Sequence, residues 1–335
     1  MTDDMELFGL TPPTSVEKIG LEADSRLMKK WEKAKRKKGA QTLAPEERNP
    51  AAVFVLSSPR AGSTLLRAML AGHPALFAPQ ELHLLPFYSM KQSRKIFRNT
   101  MLGRGLQRTF MTLKEISAEE SAAFIEQLSE EDWPIHKVYA HIQELCAPRV
   151  LVDKSPSYAA EKDALRHAEE IFTAPKYLHL VRHPYAVIES FIRTGIYQQQ
   201  FSDVFAFIEN LWALSNANLT AFFQELPPER KHVLRYEDLV SKPENMMRGV
   251  CAFLEVAYDD SLLRPYEGAR MLDGINAETV AVGDPNFLKH KSIESDLGEA
   301  WRRIKLERPL GEFAARVAQS FGYELPYEET AARAE

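Results

Sequence analysis

Short apolar runs alternate along the chain with longer stretches in which apolar residues recur every three to four positions. The runs at 51–57 (AAVFVLS), 149–153 (RVLVD), 176–181 (KYLHLV) and 231–236 (KHVLRY) are rich in β-branched and aromatic residues, and each leads into a polar turn. Helical periodicity predicts helices over 64–72, 117–129, 158–171, 184–195, 202–225, 242–255 and 310–321. The strands read as nearly continuous apolar runs, the pattern of parallel strands covered on both faces. Alternation of such strands with helices predicts an α/β fold, P-loop-like and three-layered, with a central, mostly parallel sheet and helices on both faces.

The same pattern divides the chain. Residues 50–325 carry the alternation and form the expected main domain. Residues 1–49 precede it, with an amphipathic helix at 14–39 that ends in the basic run KKWEKAKRKK (29–38). Residues 268–297 hold Gly268, Gly274, Gly283 and Pro285, lack a clear period, and read as a lid loop over an active site. Residues 326–335 form a tail.

Composition narrows the function classes. With 335 residues, 45% hydrophobic and 27% charged, the chain can bury a sizeable core without staples. A net charge of −5 argues against a general nucleic-acid binder. The start, MTDDMELFGL, lacks the basic-then-apolar order of a secretory signal, and no apolar run approaches the ~20 residues that span a bilayer, so the expected compartment is the cytoplasm. Cys146 and Cys251 are the only cysteines, so neither a disulfide framework nor a cysteine-based metal site is expected.

The chemistry is concentrated in VFVLSSPRAGSTLLRAML (53–70), a strand, a small polar turn and a helix. The first amides of a helix are unpaired and carry the positive end of its dipole. Amides around Ala61 and Gly62, with the hydroxyls of Ser63 and Thr64, can therefore cradle phosphate oxygens, and Arg60 adds a forked cation. A plain turn with Ser or Thr as N-cap is the bland alternative. The Walker pattern is absent, since no Lys follows the Gly and no earlier Gly precedes it.

YLHLVRHPYAVIESF (177–191) repeats the strand, turn and helix arrangement, with Pro184 at a first-turn position that suits proline. Together these two stretches resemble the sulfotransferase superfamily, whose donor is 3′-phosphoadenosine 5′-phosphosulfate (PAPS). SSPRAGSTLL is similar to its 5′-phosphosulfate loop, VRHPYAVIESF to its 3′-phosphate element, and LRYEDLVSKPENMMRGVCAFL (234–254) to its Y/F-E-D-L segment. The resemblance implies that Arg60, Gly62, Ser63 and Thr64 hold the 5′ end, Arg182 and Ser190 the 3′-phosphate, and that Tyr236 lies near the adenine. It implies no metal, and 3′-phosphoadenosine 5′-phosphate (PAP) as the product. Arg60 stands where many cytosolic members carry Lys.

Sulfuryl transfer needs a general base for the acceptor proton. APQELHLLPF (78–87) resembles the E-x-H-F-F element of glycan sulfotransferases, and VDKSPSY (152–158) their E-K-T-P-A-Y element. Carried over, Glu81 is the base with His83 beside it, and Lys154 faces the transferring group. Helix capping by Glu81 and a solvated Lys154 are the alternatives. His290, between Lys289 and Lys291 in the lid loop, is a further base candidate, although the family's R-K-G-x-x-G pattern is absent there. His73 reads as a helix-end residue.

For the acceptor, the closing residues GDPNF…H and GEAWR, with the stretch 57–87, resemble the sulfotransferase domains of bacterial polyketide synthases. That implies the β-hydroxyl of an acyl chain on an acyl carrier protein, activated by sulfonation for a decarboxylative elimination to a terminal alkene. The basic run 29–38 is then a docking surface for an acidic carrier, or else a solvated face or linker. A freestanding sulfotransferase for a glycan or small alcohol, a non-catalytic nucleotide-binding module, and a P-loop kinase with a degenerate loop are the competing readings.

Overall fold

Five strands, all pairing in parallel, lie in the order β2-β3-β1-β4-β5. The computed structural model describes residues 43–98, 100–195, 201–268, 270, 287 and 290–326. In chain order the elements are β1 (Val53–Leu56), α1 (Ser63–Leu70), β2 (Leu76–Phe77), α2 (Met90–Phe97), α3 (Arg104–Lys114), α4 (Ala118–Glu130) and α5 (Ile135–Cys146). There follow β3 (Val150–Lys154), α6 (Lys162–Ile171), β4 (Lys176–Val181), α7 (Pro184–Thr194), α8 (Val204–Glu225), β5 (Lys231–Arg235), α9 (Tyr236–Ser241), α10 (Pro243–Leu254) and α11 (Glu312–Ser320). The predicted helix at 14–39, the basic run, the tail beyond 326 and most of 268–297 lie outside the described residues.

Alternation along β1 sends its side chains to two cores. Phe54 and Leu56 join Leu151, Tyr177 and the helices α2–α6 on one face. Val53 and Val55 join Val152, Leu178 and Leu180 under α1 and α10 on the other. A third cluster packs α7, α8 and α11 together around Trp212. Burial on both sides is why these strands carry no polar alternation. Cys146 and Cys251 are both buried free thiols.

Several boundaries differ from the sequence expectation. Predicted helix 158–171 is a 3-10 turn at Pro156–Ala160 followed by α6. Tyr236 does not end β5 but opens α9, and Pro243 starts α10 afresh because its ring lacks the amide that a continued helix needs. The two-residue β2 and the helices α2, α3 and α5 carry no prediction. In α5 the spacing Ile135, Val138, Tyr139, Ile142 and Cys146 is plainly helical; the strand-led reading passed over it.

Topology places the site. From β1 the chain goes to β2 on one side, and from β4 to β5 on the other. The connections after these neighbours diverge, which opens a crevice beyond their carboxyl ends. Into that crevice run Ser57–Gly62, from β1, and Arg182–His183, from β4.

Candidate donor-binding and catalytic site

The turn after β1 takes two left-handed backbone steps, at Arg60 (φ 65°) and Gly62 (φ 93°), before α1 begins at Ser63. Gly62 is required twice over: its φ suits glycine, and a Cβ there would overlap the Tyr236 ring. Gly62 at the N-cap has no side chain to cap α1, so the amides ahead of Leu65, whose own N–H donates to the Gly62 carbonyl at 3.0 Å, are placed for an anion, beside the buried hydroxyl residues Ser63 and Thr64. The hydroxyls of Ser57 and Ser58 are buried and have no hydrogen-bond partner among the described residues. Ala61 is fully buried and its N–H donates weakly to the Ser58 carbonyl, 3.4 Å away.

Arg182 closes the cradle from β4. Its Nη1 donates to the Arg60 carbonyl at 3.1 Å, its guanidinium lies 4.2 Å from the Tyr236 ring centroid, and its buried Nε has no partner among the described residues. The backbone at Arg182–His183 is pinned on both sides, by Trp212 Nε1 donating to the Arg182 carbonyl (3.0 Å) and by the His183 N–H donating to Glu237 (2.9 Å). Arg60 Nε donates to Ser190 Oγ at 3.1 Å, which ties the two predicted phosphate elements together. Two arginines, helix amides and orphaned hydroxyls make a donor set that fits a nucleotide with two anionic groups such as PAPS.

Beside this cradle sits a carboxylate–cation pair. Lys154 ends β3 in register with Val55 of β1, and its buried ammonium bonds to Glu81 Oε1. Glu81 Oε2 meets His83 Nε2 at 2.9 Å, and His83 Nδ1 meets Ser157 Oγ at 2.9 Å. Burial works to raise the Glu81 carboxyl, but Lys154 and His83 outweigh it and hold its pKa down to about 2. Burial pushes the Lys154 ammonium down and the Glu81 charge pulls it back. Glu81 is thus an ionised acceptor in a water-poor place. It lies in an irregular segment, so the capping alternative for it falls, and the depth of Lys154 removes the solvated alternative.

Sequence reasoning missed several neighbours. Arg67 of α1 is buried, donates to the carbonyls of Ala78 and Arg270 (3.1 and 2.8 Å), and interacts electrostatically with Glu81. Burial pushes its guanidinium down to about 10. Its signal was a lone cation within the apolar stripe of STLLRAML. Asp153, Ser155 and Ser157 were also missed, although VDKSPSY places a carboxylate and two hydroxyls around the quoted lysine. His290 Nδ1 bonds to Glu294 at 2.6 Å, and its ring stands 6.4 Å from Tyr266; neither contact belongs to the Glu81 network. His73 is structural, bound to the Ala257 carbonyl at 2.7 Å. Among the described residues no group of three or more His, Cys, Asp or Glu is placed to hold a metal ion, and no helix is long and apolar enough to cross a membrane.

A family model described as "Sulfotransferase family" matches residues 50–260. The sulfotransferase domain from the curacin biosynthetic pathway is 47% identical with a TM-score of 0.78, over 83% of this chain and 100% of that one. The sulfotransferase domain from the Synechococcus PCC 7002 olefin synthase is 42% identical with a TM-score of 0.80, over 86% and 100%. Among curated proteins, the protein-tyrosine sulfotransferase of Drosophila melanogaster is 26% identical over 72% of this chain, which spans 46% of that enzyme's length. The nodulation protein NoeE of Sinorhizobium fredii is 24% identical over 84% of this chain and 67% of its own.

Proposed function

The chain belongs to the sulfotransferase family, and we propose that it transfers a sulfuryl group from PAPS to the β-hydroxyl of an acyl chain carried on an acyl carrier protein. Sulfonation would prepare that chain for a later decarboxylative elimination to a terminal alkene. The observation that carries the transfer is the meeting, at the ends of β1, β3 and β4, of an anion cradle with an ionised, buried Glu81. The likeness to the curacin and olefin synthase domains, along their whole length, supports the acceptor.

PAPS, when bound, supplies an electrophilic sulfuryl group on a phosphate leaving group. Arg60, Ser57, Ser58 and the amides of Gly62–Thr64 would hold its 5′ end, and Arg182 with Ser190 its 3′-phosphate. Tyr236, fixed between Gly62 and Arg182, would flank the adenine. Glu81 accepts the acceptor's hydroxyl proton, His83 orients that carboxylate through Oε2, and Lys154 offsets the negative charge that develops. Movement of Lys154 away from Oε1 toward the donor's phosphosulfate oxygens would strengthen Glu81 as a base, because the Lys154 charge is the main influence that holds its pKa low.

The acceptor is tested by offering one β-hydroxyacyl group on its carrier and on a small thiol. Far faster sulfonation on the carrier supports the reading. Equal rates on both, without salt dependence, mean a freestanding sulfotransferase for a small alcohol or glycan.

A further inference from the structure

Three successive amides of the segment that carries Glu81 and His83 are caught by two hydroxyls. The N–H groups of Leu82 and His83 both donate to Ser155 Oγ, at 3.1 and 3.0 Å. The Leu84 N–H donates to the Tyr158 hydroxyl at 2.9 Å. Both hydroxyls pass their own protons to one carboxylate: Ser155 Oγ donates to Asp153 Oδ1 (2.8 Å) and Tyr158 to Asp153 Oδ2 (2.9 Å), where Tyr139 also donates at 2.6 Å. Asp153, Ser155, Tyr139 and Tyr158 are all fully buried.

This arrangement has a polarity that an uncharged residue cannot reproduce. Burial pushes the Asp153 carboxyl up, and the hydroxyls of Tyr139, Ser155 and Tyr158, all donating to it, oppose that by favouring its charged, accept-only form. In that form it fixes the direction of the hydroxyl protons around it and turns their lone pairs toward the amides. The segment needs such holding, because His83 adopts a left-handed backbone (φ 52°) that a residue with a side chain rarely takes unaided. The two faces of β3 divide the work. Lys154 reaches the Glu81 side chain, while Asp153, in register with Phe54 on the opposite face, reaches the Glu81–His83 backbone through Ser155 and Tyr158.

We propose that Asp153 is a positioning residue, which acts through Ser155 and Tyr158 to hold Glu81 and His83 at the angle that proton transfer requires. The assignment rests on the reading of Glu81 as the base. It makes the D-K-S-P-S-Y stretch (153–158) one device, with a cation for the reaction and a carboxylate–hydroxyl clamp for the base.

The test uses the full chain as parent, Ser155→Ala, Ser155→Thr, Asp153→Asn and the Ser155→Ala/Asp153→Asn double variant. Two readouts are taken: ring-¹⁵N NMR of His83, assigned against His83→Gln, and kcat with PAPS and a carrier-bound β-hydroxyacyl acceptor, alongside PAP affinity. Ser155→Ala and Asp153→Asn should shift or broaden the His83 ring signals and lower kcat by roughly ten- to a hundredfold, with PAP affinity held. Ser155→Thr, which keeps the hydroxyl, should restore both. The double variant should be no worse than the poorer single one, since both act through one path. Unchanged His83 signals in both single variants overturn the proposal, as does a PAP affinity that falls in step with kcat, the mark of a collapsed site. His83 signals that respond in the variants, beside a parent that transfers no sulfuryl group to this acceptor, leave the clamp standing and remove the carrier-bound acceptor reading instead.

Discussion

Replacing Lys154 by Met keeps the length and apolar stem of the side chain but removes the charge that holds Glu81 ionised. In the parent, burial opposes the Glu81 carboxylate, yet Lys154 and His83 hold its pKa at about 2 against an ordinary 4.5. That gap is worth about 3 kcal/mol of folding stability, present above pH 4.5 and lost as pH falls from there through 2. In Lys154→Met the burial remains and the main opposing charge is gone, so the Glu81 pKa should rise above its ordinary value. The sign then reverses: a carboxyl with a raised folded pKa is a source of stability at low pH that disappears as pH rises through that pKa. The stability difference between parent and variant, measured by urea unfolding from pH 5 to 8, should therefore widen with pH. Its slope is at most about 1.4 kcal/mol per pH unit, and its full size roughly the 3–5 kcal/mol expected when one member of a buried pair is removed. Adding Glu81→Leu to the variant should recover much of the loss, because no uncompensated charge is left. A difference that stays flat from pH 5 to 8 would refute the coupling of Glu81 to Lys154.

Glu81→Gln keeps shape and hydrogen bonding but cannot take the proton, and should lower kcat by roughly 10²–10⁴ with PAP affinity unchanged by calorimetry; an unaltered kcat would move the base to His83 or His290. Arg182→Ala removes the guanidinium that bridges Arg60 and Tyr236, and should weaken PAP binding by roughly 2–4 kcal/mol, about 30- to 1000-fold. Gly62→Ala sets a Cβ into the Tyr236 ring at φ 93°, and should cost about 1–3 kcal/mol of stability, read as a lowered Tm and weaker PAP binding.

The centre of the sheet was legible because β1 and β4 are buried on both faces and stand out as largely apolar runs, Val53–Leu56 most clearly, whereas the edge strand β5 is half exposed. The turn after β1 was legible because Gly62 and Ser63 have local reasons, a position that favours glycine and a helix start, whereas the left-handed backbone of Arg60 carries no sequence signal. What escaped was set by tertiary contact. Two-residue β2 exists only through its pairing with β3, and α2 and α3 are polar helices whose few apolar residues point into one shared core. Arg67, Asp153 and Ser155 escaped for a related reason. Each looks like an ordinary polar residue until the fold brings Arg67 near Glu81, Ser155 against the Leu82 and His83 amides, and Asp153 against Ser155 and Tyr158. His290 lies in the stretch that the sequence predicts as a lid loop, and the structure pairs it with Glu294.

The central claim is tested most directly by incubating the protein, with a chelator present, with PAPS and a β-hydroxyacyl carrier protein, and following PAP release and the intact mass of the carrier together. The account predicts one equivalent of PAP for each carrier that gains the mass of SO₃, and a gain slowed by roughly 10²–10⁴ with Glu81→Gln although it still binds PAP. PAP release without a matching gain on any hydroxyl acceptor, or an equal gain with Glu81→Gln, would contradict it.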